Sequence, residues 1–168
     1  MNIFFSVLPV IVFLTLLVFL DSFKLVSKKL LITLFITGIL ISLTAYPING
    51  LTKYVPFEFS IKVRFIYPLF EELLKLIPLF IIFKRNKTGF LIDSMIYGFA
   101  VGSGFGFSEN IYYYFNTGVT DIAHNVIRGF GTAIMHAGNA SIEAMLIYYL
   151  IEVKKVNQTL SLFFALLP

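Results

Sequence analysis

Apolar side chains run along this chain in five long blocks, residues 2–20, 30–46, 66–83, 91–115 and 127–151, separated by short polar stretches. A helix needs about 17–25 apolar residues to cross the hydrocarbon core of a bilayer, and each block is long enough. A sixth apolar stretch, 159–168, is too short to cross and reads as the start of a further helix that is cut off. The pattern predicts an all-α fold, a polytopic transmembrane helical bundle of five spans plus the start of a sixth. It forms a single domain over 1–168, truncated at its C-terminus. The second block should close at Pro47 and the turn dipeptide Asn49-Gly50. Residues 51–65 mix aromatics with Lys53, Glu58, Lys62 and Arg64. They read either as an interfacial segment, with Phe57, Phe59 and Phe65 in the headgroups, or as an ordinary loop.

Composition agrees with the pattern. The chain is 58% apolar and 13% charged, with a mean hydropathy of +0.90, too apolar for a soluble domain of this size. No segment concentrates Lys and Arg, so the net charge of +4 carries orientation rather than a nucleic-acid footprint. Basic residues favour the cytoplasmic side. Lys24, Lys28 and Lys29, then Lys84, Arg85 and Lys87, then Lys154 and Lys155 mark the first, third and fifth loops as cytoplasmic. That puts the N-terminus outside, with Lys62 and Arg64 arguing the other way. The absence of cysteine excludes disulfides, zinc–thiolate sites and thiol catalysis. The first block has no basic residue ahead of it and no small-residue cleavage site after it, so it reads as a retained helix.

Charges inside the blocks change the picture. Glu71, Glu72 and Lys75 lie within 66–83, where each costs roughly 2.5–3.5 kcal/mol on insertion scales. They must face a protein interior or a wet cavity. Pro78 cannot donate to the carbonyl of Leu74, which predicts a kink and a carbonyl free to wet that cavity. In the fourth block Gly98, Gly102 and Gly106 form a small-xxx-small ridge for a neighbouring helix, and Glu109 continues its face. Asn110 beside it offers donors and an acceptor. Tyr112, Tyr113 and Tyr114 read as an interfacial belt without a catalytic role. In the fifth block Arg128, Thr132, His136, Asn139 and Glu143 share one helical face. Glu143 is either a partner of His136 or a pore-side group, and His124 reads as solvated in a loop that also carries Thr120 and Asp121. At 1.5 Å per residue, Glu71, Glu72 and His136 lie roughly 8, 9 and 14 Å from the ends of their blocks, with Glu109 at a similar depth. Alternating spans bring all of them to one leaflet, the outer one by the charge argument.

Carboxylates with a histidine suit water activation. In one route zinc, held by Glu72, Glu109 and His136, lowers the pKa of a bound water to about 7. In the other a buried glutamate is the general base. His136, with Asn139 or Asn110, then steadies the oxyanion. Lys75 can neutralise one carboxylate and leave the other to work.

Glu71-Glu72-x-x-Lys75, Phe105-Gly106-Phe107-Ser108-Glu109-Asn110, and Arg128 with His136 on the next helix resemble the PrsW family of intramembrane proteases, relatives of the CAAX prenyl-protease and bacteriocin-immunity group. The resemblance covers blocks three to five. It implies a multi-pass protein of a bacterial cell membrane that cleaves a membrane-anchored, anti-sigma-factor-like substrate, with no nucleic-acid partner. It implies Glu71, Glu72, Glu109 and His136 as the catalytic core, supported by Lys75, Asn110, Arg128, Asn139 and Glu143. The family is classed as metalloproteases, while the prenyl-protease relatives suggest a glutamate mechanism. The CAAX branch has Arg where this chain has Lys75 and His where it has Glu109. The family usually carries a further His motif in a later helix, and this chain reaches Pro168 before one. Two other readings fit the same residues: a transporter or proton relay, and an inactive immunity or binding relative.

Overall fold

The computed structural model describes residues 3–20, 26–84, 89–118, 121–157 and 160–161. Among these every regular element is helical. α1 (Ile3–Leu20) and α2 (Lys28–Leu51) come first. A short α3 (Phe59–Ile61) runs through a π-helical turn, Lys62–Ile66, into α4 (Tyr67–Lys84). α5 (Leu91–Thr117) follows. A last rod joins α6 (Ile122–Thr132), a second π turn (Ala133–Ala137), α7 (Gly138–Tyr148) and a third π turn (Tyr149–Val153). Lys24, Arg85, Lys87, Thr120 and nearly all of the tail 159–168 lie outside the described residues.

Local chemistry sets the ends of these rods. Ser27 caps α2 by accepting from the Leu30 amide at 3.2 Å. Asp93 accepts from the amides of Gly89 and Phe90, both at 3.0 Å, at the start of α5. Gly118 ends α5 in the left-handed region at φ 65°, where a Cβ would be strained. Asp121 caps α6 through the His124 amide at 2.7 Å, so the fifth rod begins at Ile122, five residues before its apolar block.

α2 does not close at Pro47. It continues to Leu51, and Asn49-Gly50 is helical. Pro47 forfeits one backbone bond near the helix end. Beyond it Thr52 satisfies the last carbonyls, its amide donating to Asn49 O and Gly50 O and its hydroxyl to Asn49 O at 2.6 Å. The Asn49 side chain, which a turn would have used, is spent elsewhere. Residues 51–65 are not a plain loop. A 3₁₀ turn, Thr52–Tyr54, leads to the α3 start of the third rod, with Phe57, Phe59 and Phe65 exposed. α4 passes Pro78 without a break in its helix.

α5 is the centre of the fold, packed between α2 and α7. Backbones touch on both sides. A Cβ at Gly98 would lie 2.1 Å from Ala140 O, and one at Gly102 would lie 2.0 Å from His136 O. On the opposite side a Cβ at Gly38 would lie 2.0 Å from Val101 O and one at Gly104 1.9 Å from Phe35 O. None of these distances is attainable, so only glycine allows the approach. Leu34, Leu76, Leu79, Val101 and Ile147 fill the core beside this seam. α1 leans on α5 and α6, where Ser6 donates to Asn125 Oδ1 at 3.1 Å and its carbonyl accepts from Asn110 at 3.0 Å. By length and composition one described helix, α2, can cross a membrane, and Ile3–Leu16 is a shorter apolar stretch.

Candidate active site

The polar residues of α4, α5 and the last rod meet at a cavity of about 570 Å³. Glu71 and Glu72 reach it from α4, Glu109 from α5, and Arg128, Thr132, His136 and Asn139 from the last rod. The π turn Ala133–Ala137 carries His136. Its extra residue per turn shifts the helix register, a device common at functional sites.

The charges form a connected chain. Lys75 is fully buried. Its Nζ lies 2.6 Å from Glu72 Oε2 in an ion pair and donates to His136 Nδ1 at 3.3 Å. An ammonium only donates, so Nδ1 accepts and the ring proton sits on Nε2. Nε2 in turn donates to Glu109 Oε2 at 2.6 Å. The other oxygen of Glu109 accepts from Arg128 at 3.2 Å. The ring of Phe105 backs both cation and histidine, 5.0 Å from Nζ and 4.8 Å from the imidazole. Glu143 lies buried behind this chain, its electrostatic neighbours being Glu72 and Lys75. It therefore partners the α4 charges rather than His136, and it does not line the cavity.

Glu71 stands apart from its neighbour in sequence. It makes no ion pair among the described residues and accepts instead from Asn49 Nδ2 at 2.9 Å. The two adjacent glutamates are thus divided by helix geometry, one neutralised by Lys75 and the other left with a neutral donor.

Four expectations from the sequence change. Asn110 does not face the cavity. It is buried, accepts from Thr132 Oγ1 at 2.7 Å and donates to Ser6 O, so its amide ties α1, α5 and α6 together and is not free for an oxyanion. Tyr113 is more than part of a belt: it lines the cavity and lies under the Arg128 guanidinium, 3.6 Å from ring centroid to Cζ. His124 is exposed, as expected, but on the first turn of α6 rather than in a loop, within 3.5 Å of the Tyr113 hydroxyl at the cavity rim. Leu74, whose carbonyl was expected to wet the cavity, is not in its lining. Asn49 and Tyr113 escaped the sequence reading because one looked like a turn residue and the other like an interfacial aromatic. Only the folded helices put them beside Glu71 and Arg128.

The donors do not make a metal site as arranged. His136 offers neither nitrogen: Nδ1 accepts from Lys75 and Nε2 carries the proton. Glu72 and Glu109 are each engaged by a cation, Lys75 and Arg128. Among the described residues no group of three His, Cys, Asp or Glu side chains is placed to hold a metal ion.

A family model described as PrsW family intramembrane metalloprotease matches residues 26–168, a stretch that runs from the start of α2 and contains every candidate site residue. No curated protein and no solved structure matches the chain.

Proposed function

The chain belongs to the PrsW family of intramembrane proteases, and from that premise we propose that it hydrolyses a peptide bond of a membrane-anchored protein with water activated by Glu71. One observation carries this reading. Glu71 opens on the cavity without an ion-pair partner, while the acids around it are held by Lys75, Arg128 and His136.

Glu71 takes a proton from the attacking water. The water oxygen bonds to the carbonyl carbon, and the amide side chain of Asn139, exposed in the cavity wall, donates to the developing oxyanion. The C–N bond then breaks as the proton held by Glu71 passes to the leaving nitrogen. Lys75 fixes the tautomer and plane of His136, which presents its N–H to Glu109 and keeps that acid oriented.

The donor arrangement supports the glutamate route over a metal-bound water, even though the family description names a metalloprotease. The five-span reading rests on the apolar surface. Ile32, Ile36, Leu40 and Leu43 on α2, Ile77 and Ile81 on α4, and Ile127 and Ile134 on the last rod are all exposed. A bilayer would cover exposed apolar side chains of this number, which a soluble monomer has less reason to carry. The substrate is then a single-pass protein such as an anti-sigma factor, cut close to its outer membrane boundary.

Purified protein in detergent, given a single-pass substrate, tests the proposal. Cleavage should be lost in Glu71→Gln and in His136→Ala and should persist with a zinc chelator. Full activity in both variants would remove the protease site from these residues. Loss with chelator and recovery with zinc would replace the glutamate route with a metal-bound water.

A further inference from the structure

We propose that Asn49, in the last turn of α2, is a positioning residue for the Glu71 carboxylate. The inference rests on the protease reading and extends the site to a helix that supplied no functional residue in sequence. Asn49 Nδ2 donates to Glu71 Oε1 at 2.9 Å. The amide orientation is not arbitrary, because a carboxylate offers only acceptors and the oxygen of Asn49 would be repelled there. Oε1 is thereby taken. Oε2 of Glu71 has no hydrogen-bond partner among the described residues and is not one of the buried orphan atoms, so it is the oxygen left to face the cavity.

A second bond one turn away fixes the same approach. The Thr52 hydroxyl reaches the Tyr67 hydroxyl at 3.3 Å, and Tyr67 precedes Glu71 by four residues on the same face of α4. The end of α2 therefore grips the start of α4 at two points, one of which is the proposed base. The amide is not there for the stability of α2. Asn49 Oδ1 is buried without a partner, an unfavourable arrangement that an apolar residue would avoid. A neutral donor is also the right chemistry for a base. It orients the carboxylate without neutralising it, as Lys75 does for Glu72.

The test uses the full chain in detergent and a quenched-fluorophore peptide spanning a Leu/Ala transmembrane segment and its flanks. Asn49→Ala should lower kcat about 10- to 100-fold, the scale set by misplacing a catalytic group by about 1 Å, with KM unchanged. Asn49→Gln, which keeps the amide, should recover part of the rate. The Glu71 carboxylate stretch, assigned by infrared difference against Glu71→Gln, should shift in Asn49→Ala. An unshifted band, or wild-type kcat in Asn49→Ala, would overturn the proposal. A shifted band in a protein that cleaves nothing would uphold the positioning and sink the protease reading instead.

Discussion

Lys75 is the residue on which the buried charges depend. Its ammonium is wholly removed from solvent, with Glu72 at 2.6 Å, His136 Nδ1 at 3.3 Å and Glu143 in its field. Removing one partner of such a pair costs about 3–5 kcal/mol, because the other is left charged and uncompensated. The 18% exposure of Glu72 reduces that figure. Lys75→Met should therefore lower the unfolding temperature in detergent, and Lys75→Met with Glu72→Gln should recover much of the loss without recovering activity. Equal unfolding temperatures for Lys75→Met and wild type would mean that the pair contributes nothing. At this scale the sequence is legible where charge is improbable. Glutamates and a lysine in an apolar run have no bland explanation; the glutamates reach the cavity and the lysine is buried behind them. It is less legible where a residue has an ordinary use elsewhere. Asn49-Gly50 is a common turn, a tyrosine near a span end is a common anchor, and a histidine in a polar stretch commonly belongs to a loop. Asn49, Tyr113 and His124 reach the site only through contacts between helices.

At the scale of elements, the geometry rests on how closely α5 approaches its neighbours. Gly102 meets the backbone of His136 itself, so a methyl group there would push away the residue that holds Glu109. Gly102→Ala should cost about 1–3 kcal/mol, as overpacking does, and should lower cleavage more than stability alone predicts. Gly138 is the matched control, two residues past His136, with nothing within 4 Å of a Cβ. Gly138→Ala should stabilise by about 0.5–1 kcal/mol, the helix preference of alanine over glycine. Thermal unfolding and cleavage rates of both variants check this, and similar behaviour in the two would deny the seam its role. The repeat Gly98, Gly102, Gly106 announces one side of the seam through its spacing. Gly38 and Gly104 carry the other side and form no repeat, so nothing in the sequence pairs them. The π turn at Ala133–Ala137 is equally silent in sequence, because the polar stripe reads the same in a regular helix.

At the scale of the whole molecule, the open question is which side of the membrane feeds water to the cavity. Hydrolysis consumes water, so the cavity must open to the compartment where the substrate is cut. The site joins the first half of α4, the last third of α5 and the first half of the last rod, and if successive elements alternate in direction across a bilayer these parts belong to one leaflet. In sequence the opposite ends carry eight basic residues, Lys24, Lys28, Lys29, Lys84, Arg85, Lys87, Lys154 and Lys155, against four on the side of the site, Lys53, Lys62, Arg64 and Arg128, and by the positive-inside rule we propose that the richer side is cytoplasmic. On the proposed topology the cavity lies in the outer leaflet, roughly 8–14 Å below its surface by block length. The native chain has no cysteine, so single cysteines report on the topology without background. Asn116→Cys, exposed near the end of α5, should react with a membrane-impermeant maleimide on intact cells. Asn86→Cys, between α4 and α5 in sequence beside Arg85 and Lys87, should react only after permeabilisation. The reverse pattern would leave every distance in the site unchanged and turn the cavity to the cytoplasm. A substrate cut at its outer boundary would then have no route to Glu71.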